Sequence, residues 1–184
     1  MNFKPIKTQR LEINLFEEKH LPELFRYRSD PSVFLFYSIE PKSIDELAVY
    51  LRDNITEFDD SNGYSVFCIL LNNKVIGDIS VKYWGFENKI NALGFAIDPA
   101  YQNNGYAFEA VSSLITYMFL ELNRNRIQAT VDPKNKKSIK LLERLGFERE
   151  GIIKEVVYSN GIWEDEYLYA LIKSDWERKN QKIS

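Results

Sequence analysis

Ala96-Ile97-Asp98-Pro99-Ala100-Tyr101-Gln102-Asn103-Asn104-Gly105-Tyr106-Ala107-Phe108-Glu109-Ala110 joins the end of one apolar run to the start of another with a different period. The run before it, Ile90 to Ile97, reads as a strand, and Gly94 inside it predicts a bulge or a close approach by a ligand or another backbone. The run after it, from about Gly105 to Leu122, carries Ala107, Ala110, Val111, Leu114, Met118 and Leu122 on one helical stripe. Strand, glycine-bearing turn and long helix make a geometry suited to phosphate. The helix start offers unpaired N–H groups and the positive end of the macrodipole, and Gly105 and the small Ala107 keep side chains out of the way. The turn is not a P-loop, because no Lys-Ser/Thr pair follows the glycine. It also lacks the three early glycines of a dinucleotide fingerprint.

Outward toward the N-terminus, Leu11 to Phe16 alternates as a strand, and a helix is expected from Glu18 to Arg28, stopping at Ser29-Asp30-Pro31. Ser43 and Glu46 form a capping box that opens a helix from Ile44 to about Phe58, with Leu47, Leu51 and Ile55 inward. Tyr64 to Leu71 and Lys74 to Trp84 flank Asn72-Asn73, a hairpin turn because Asn tolerates positive φ. Toward the C-terminus, Arg126 to Val131 is a short strand ended by Pro133. Asn135 caps a helix reaching Leu145, with Gly146 placed as its C′ residue. Gly151 to Tyr158 and Trp163 to Ile172 form a final hairpin around Ser159-Asn160-Gly161. The order βααβββαβαββ predicts an α+β (mixed α/β) fold with a largely meandering sheet.

At 184 residues the chain suits one domain, residues 1–178, followed by a polar tail, 179–184. Its composition, 45% hydrophobic and 28% charged, is that of a globular protein with ample core. A net charge of −3 argues against binding nucleic acid through counterion release. A single cysteine excludes an internal disulfide and the multi-cysteine zinc motifs, and fits a reducing compartment. Apolar stretches such as Val66 to Leu71 fall far short of a membrane span, and MNFKPIKTQR has no apolar run behind its charges. A soluble, cytoplasmic protein is the expectation.

A second element lies thirty residues beyond the turn. Asn135-Lys136-Lys137-Ser138 opens a helix whose inward stripe is Ser138, Leu141, Leu142 and Leu145. A hydroxyl on an apolar face must find a partner, either a backbone carbonyl or a ligand. Lys134, Lys136 and Lys137 oppose the helix dipole, a cost that a bound anion would offset; a solvated lysine-rich loop is the other reading. Cys68 reads as a packed core thiol and His20 as a surface residue at a helix start. No spacing of His, Asp or Glu suggests a metal site.

The quoted segment, followed by Asn135, Ser138 and Leu145-Gly146-Phe147, closely resembles the GNAT acetyltransferases, with the RimJ/RimL-like branch nearest. The resemblance runs from Thr8-Gln9-Arg10-Leu11 through Asp30-Pro31-Ser32-Val33 to Trp163-Glu164-Asp165. It implies one domain built on a splayed mixed sheet of about seven strands flanked by helices. Acetyl-CoA would wedge between two diverging parallel strands as the cosubstrate, with no metal. The backbone of Phe95, Ala96 and Ile97 would hold the pantetheine arm, and Gln102, Asn103, Asn104, Gly105, Tyr106 and Ala107 the pyrophosphate. Asn135 would bind pantetheine, and Ser138 would stand beside the thioester sulfur. Leu142 occupies a place where many relatives carry a tyrosine acid, which leaves that role to Ser138. The strand from Ile90 to Ile97 lacks the carboxylate that often serves as base.

An amine acceptor is an ammonium ion at neutral pH, so a base or a water chain must take its proton before attack. Glu155 is the first candidate, facing the cleft if the alternation of its strand holds, and Asp78 is the second. Phe34, Phe36, Tyr37, Trp84 and Trp163 lie in segments that could line an acceptor pocket, as they could line a core or a subunit contact. The acceptor is either a protein N-terminal α-amine or a small amine, and the partners allow a homodimer or higher homo-oligomer. The rival reading is a catalytically silent CoA-binding sensor or interaction module.

Overall fold

The structure is a computed structural model that describes residues 3–34, 41–59, 62–159 and 161–181. Eight strands form one sheet: β1 (Ile6–Lys7), β2 (Glu12–Leu15), β3 (Tyr64–Leu71), β4 (Lys74–Trp84), β5 (Ile90–Ile97), β6 (Arg126–Val131), β7 (Glu148–Ser159) and β8 (Ile162–Ile172), in the spatial order β1-β2-β3-β4-β5-β6-β8-β7. The helices are α1 (Leu21–Arg28), α2 (Pro31–Phe34), α3 (Ile44–Asn54), α4 (Tyr106–Leu120), α5 (Lys136–Arg144) and α6 (Lys173–Gln181). The count is one strand above the expected seven. The addition, β1, is two residues long and too short for a periodic signal. The last helix reaches Gln181, so regular structure continues past residue 178, where a tail was expected.

Alternation along the central strands explains the layers. Phe67, Ile69, Ile79, Val81, Tyr83, Leu93 and Ile97 face α4, packing against Val111, Leu114, Ile115 and Met118. Val66, Cys68, Leu70 and Ala96 face the other way, against Leu24 and Tyr27 of α1 and Leu47 and Leu51 of α3. Covered on both faces, β3 is buried from Ser65 to Leu70, which is why its sequence reads as a continuous apolar run. Burial raises the Cys68 thiol far above its ordinary pKa, as a core thiol requires. No helix among the described residues is long and apolar enough to cross a membrane.

Among the described strands, only β5 and β6 are parallel neighbours. β5 and β6 are in register at Ile90–Arg126, Asn91–Ile127 and Ala92–Gln128, and there the pairing stops. On its other side β5 stays bonded to β4 without a shift, from Trp84–Ile90 to Gly77–Ile97. The bulge expected at Gly94 is therefore absent from that ladder. The irregularity lies one strand over, where the register between β3 and β4 shifts at Ile69/Leu70. Gly77 beside it is obligatory, since a Cβ there would stand 2.4 Å from the Ala96 carbonyl.

His20 is buried rather than on the surface, at 4% exposure. It closes a single 3-10 turn ahead of α1, where its Nδ1 accepts the Glu17 N–H at 3.0 Å. Burial lowers its pKa from the usual 6.5, and the bond to Glu17 requires an unprotonated Nδ1. A group whose folded pKa is depressed in this way stabilises the fold fully above the unfolded value. That contribution is lost as pH falls below about 6.5. The melting temperature should therefore drop between pH 7.5 and 5.5, and His20→Gln should flatten that dependence in a calorimetric pH series.

Candidate active site

The end of β5 and the N-termini of α4 and α5 surround the opened part of the sheet. Asp98 N–H bonds the Ile76 carbonyl, and the Ala96 carbonyl lies against Gly77, so even-numbered residues of β5 turn their backbone toward β4. By alternation, the backbone groups of Leu93, Phe95 and Ile97 face the side that β6 has left. The backbone of Phe95 and the N–H of Ile97 are thus placed to bond an added strand. Ala96 is not: its backbone is spent on β4 and its side chain is buried against α1 and α3.

After β5, Asp98 caps a single turn by accepting the Ala100 N–H at 3.0 Å. Gln102 then bridges the gap. Its Nε2 donates to the Ile97 carbonyl at 3.1 Å and its Oε1 accepts from Lys137 Nζ at 3.1 Å, tying β5 to the first turn of α5. Asn104 Nδ2 closes the loop on the carbonyls of Tyr101 (3.2 Å) and Gln102 (2.9 Å). Asn103 and Gly105 have φ of 63° and 78°. Gly105 caps α4 in the left-handed region, where a side chain would be strained. The first backbone bond of α4 runs from Glu109 N–H to the Gly105 carbonyl, so the amides of residues 103–108 have no partner among the described residues. Asn103, Asn104 and Gly105 are exposed, which makes the turn an accessible cluster of donors.

Asn135 caps α5, its Oδ1 accepting the Ser138 N–H at 3.1 Å, and its side-chain NH₂ has no partner among the described residues. Ser138 is half-buried, and its hydroxyl makes no bond to any described residue. Of the three lysines, Lys134 pairs with Glu164 of β8, Lys136 donates to the Pro133 carbonyl at 2.6 Å, and Lys137 alone reaches the turn. Leu142 is 1% exposed in the core.

The remaining expected residues are placed differently. Asp78 is fully buried. Its carboxylate accepts the Tyr27 hydroxyl at 2.6 Å and pairs with the buried Arg28 guanidinium. It is a locked anchor between α1 and β4, not a free base. Glu155 departs from alternation: pairing jumps from Ile153–Glu166 to Val157–Glu164, and Glu155 sits in that bulge at φ 49°. Its side chain is exposed and its N–H bonds Asp165 Oδ1 at 2.9 Å. Trp84 lies opposite Ile90, at the end where β5 and β6 are still joined, away from the opening. Trp163 is 59% exposed and packs at a tilt against Tyr158, with ring centroids 5.1 Å apart. Phe36 and Tyr37 lie outside the described residues. No group of three or more possible metal-ligating side chains occurs among the described residues.

Two anchors were not anticipated. Arg26 pairs with the buried Asp98 at 2.5 Å, so α1 grips β4 through Arg28 and the end of β5 through Arg26. Glu109 pairs with Arg10, ninety-nine residues away in sequence. Local pattern holds no trace of such pairings.

The sheet opens beside the parallel β5–β6 pair, with the N-termini of α4 and α5 flanking the opening. Residues 10–148 match the family model described as an acetyltransferase (GNAT) domain. The chain is similar to an uncharacterized N-acetyltransferase, YnaD, of Bacillus subtilis (strain 168), at 34% identity over 176 residues covering 93% of this chain and 98% of that one. It is also similar to the [ribosomal protein uS5]-alanine N-acetyltransferase of Escherichia coli (strain K12), at 43% identity over 84 residues, or 46% of this chain and 43% of that one. In fold it matches the crystal structure of spermidine N-acetyltransferase from Vibrio cholerae in complex with CoA and spermine, with a TM-score of 0.80 and 22% identity over 92% of this chain and 99% of that one. The chain belongs to the GNAT acetyltransferase family and is an N-acetyltransferase that uses acetyl-CoA. The reading as a silent sensor gains no support from these relatives.

Removing one partner of a buried ion pair costs about 3–5 kcal/mol. Asp78→Asn should therefore lower the denaturant midpoint strongly, while Glu155→Gln leaves it within error. A stable Asp78→Asn protein with lost turnover would instead mark Asp78 as the base.

Proposed function

We propose that this enzyme acetylates the α-amine of a polypeptide. On this reading the amides of residues 103–107 seat the diphosphate of acetyl-CoA, and Phe95 and Ile97 bond its pantetheine arm. The observation that carries the reading is the loss of β6 beyond Ala92, which leaves that side of β5 with no strand partner among the described residues, between two helix N-termini. A backbone edge with nothing to bond is costly when buried, so a ligand that adds hydrogen bonds along it is favoured. The unpaired amides of the turn, the Asn135 NH₂ and the Ser138 hydroxyl fit the polar groups of the cosubstrate in kind.

Acetyl-CoA supplies an acyl group already activated as a thioester, so no covalent intermediate on the enzyme is needed. Asn135, with Oδ1 fixed by the Ser138 N–H, holds the first turn of α5 in place, and the Ser138 hydroxyl is free to give its proton to the departing thiolate. A thiolate with a pKa of about 8.5 needs only moderate help. Asp78 is held by Arg28 and Tyr27, so the acceptor ammonium gives up its proton through water, with the exposed Glu155 as the available carboxylate.

The uS5-alanine relative acts on a protein, and the β7–β8 hairpin offers an apolar surface for one. Ile152, Val156, Tyr158, Ile162 and Trp163 are all more than two-fifths exposed there. A small amine would leave that surface unused. The test is thiol release from acetyl-CoA with two panels: short peptides with free Ala or Ser N-termini, and small amines including polyamines. Peptide turnover is expected. Ser138→Ala should lower kcat about tenfold to a thousandfold. Gly105→Val should weaken CoA binding at least about tenfold, because it strains the turn and crowds its amides. Turnover confined to small amines would overturn the polypeptide reading.

A further inference from the structure

The segment around Arg10 crosses the chain to reach the phosphate turn. Glu109, in the first turn of α4, accepts the Thr8 hydroxyl at 2.6 Å and the Arg10 N–H at 2.9 Å through Oε1. Its Oε2 accepts from Arg10 Nε at 2.7 Å and Nη2 at 2.6 Å. The other arm of the guanidinium, Nη1, donates to the Asn104 carbonyl at 3.0 Å. The guanidinium carbon stands 4.5 Å from the Tyr106 ring centroid, and Nη2 lies 3.6 Å from where a Gly105 Cβ would be. One side chain therefore meets Asn104, Gly105, Tyr106 and Glu109, the residues whose backbone sets the direction of the free amides.

An exposed ion pair is worth about 0–1 kcal/mol, and the Arg10 side chain is 41% exposed, so general stability accounts poorly for so many bonds. Local conformation accounts for them better. Asn103 and Gly105 are both at positive φ, and such a turn keeps one shape only if its surroundings over-determine it. A planar guanidinium holds a carboxylate and a carbonyl in separate, fixed directions, whereas an ammonium is a single compact charge on a flexible stem. Burial pushes the Glu109 carboxyl up, but the Thr8 hydroxyl and the Arg10 amide and guanidinium outweigh it and hold the pKa below the usual carboxylate range. The carboxylate that anchors the clamp is therefore ionised throughout the neutral range.

We propose that Arg10 is a positioning residue for the cosubstrate, clamping Asn104 to Tyr106 onto Glu109 so that the amides of the turn converge on the diphosphate. The inference rests on the reading of residues 103–107 as the diphosphate seat. The experiment compares two acyl donors, acetyl-CoA and S-acetylpantetheine, which lacks the diphosphate. Both are followed by thiol release with wild type, Arg10→Lys, Arg10→Gln and Glu109→Gln.

Wild type should favour acetyl-CoA. Each variant should raise KM for acetyl-CoA about tenfold, the loss of one charge-assisted bond, with kcat little changed. KM for S-acetylpantetheine should stay within about twofold of wild type in the same variants. Equal losses with both donors would make Arg10 an ordinary structural tie and overturn the proposal. So would an unchanged KM for acetyl-CoA. Rescue by Arg10→Lys would show that charge suffices and overturn the clamp. A wild type indifferent to the diphosphate would overturn the seat itself, a result distinct from failure of the clamp alone. If a variant melts markedly lower, its KM ratio between the two donors still decides, because both are measured on the same folded fraction.

Discussion

The loss of β6 after Ala92 governs this molecule. A strand in the middle of a sheet ordinarily spends its backbone on two neighbours, and β5 does so for three residues only. Beyond that point the side that faced β6 has no strand partner among the described residues, its Ile97 carbonyl taken by Gln102 Nε2, while the other remains bonded to β4 down to Ile97. The opening costs the fold backbone bonds and gives the enzyme a polar edge inside an apolar sheet. The residues assigned to the cosubstrate lie along that edge, in the turn that follows it, or on the two helix starts beside it.

A strand bonded on one side needs other restraints if its free edge is to keep a fixed shape. Helix α1 supplies two, with Arg28 on Asp78 of β4 and Arg26 on Asp98 at the end of β5. Gln102 supplies a third by joining the Ile97 carbonyl to Lys137 of α5. Gly77 lets β5 approach β4 closely where the register between β3 and β4 shifts. The charged groups near the site thus hold backbone in place, and few are left free to act chemically. Ser138, whose hydroxyl has no partner among the described residues, stands apart from them.

The central elements were legible because they obey strong local rules. β3, β4, β5 and β6 have the predicted limits, and Asn72 and Asn73 have the positive φ of a tight hairpin, at 50° and 65°. The turn and Asn135 with Ser138 were legible from spacing and from the family resemblance. The Ser43 cap is present, with its hydroxyl accepting from Glu46 N–H. The Glu46 carboxylate, however, goes to the Lys42 N–H rather than completing the box, and the helix stops at Asn54, short of Phe58. Alternation failed where bulges occur: Glu155 lies inside the β7 bulge, outside the two-residue alternation, with its side chain exposed. Burial and pairing of single polar groups were not legible. Asp78, His20 and Glu109 each look like a surface residue until a partner distant in sequence, or the packing of a neighbouring helix, encloses them.

The most direct measurement is a crystal structure of the protein grown with coenzyme A. The account places the diphosphate within hydrogen-bonding distance of the amides just after Asn103, the pantetheine alongside Phe95 and Ile97, and the thiol beside the oxygen of Ser138. A nucleotide bound elsewhere, with the gap between β5 and β6 vacant, would contradict it.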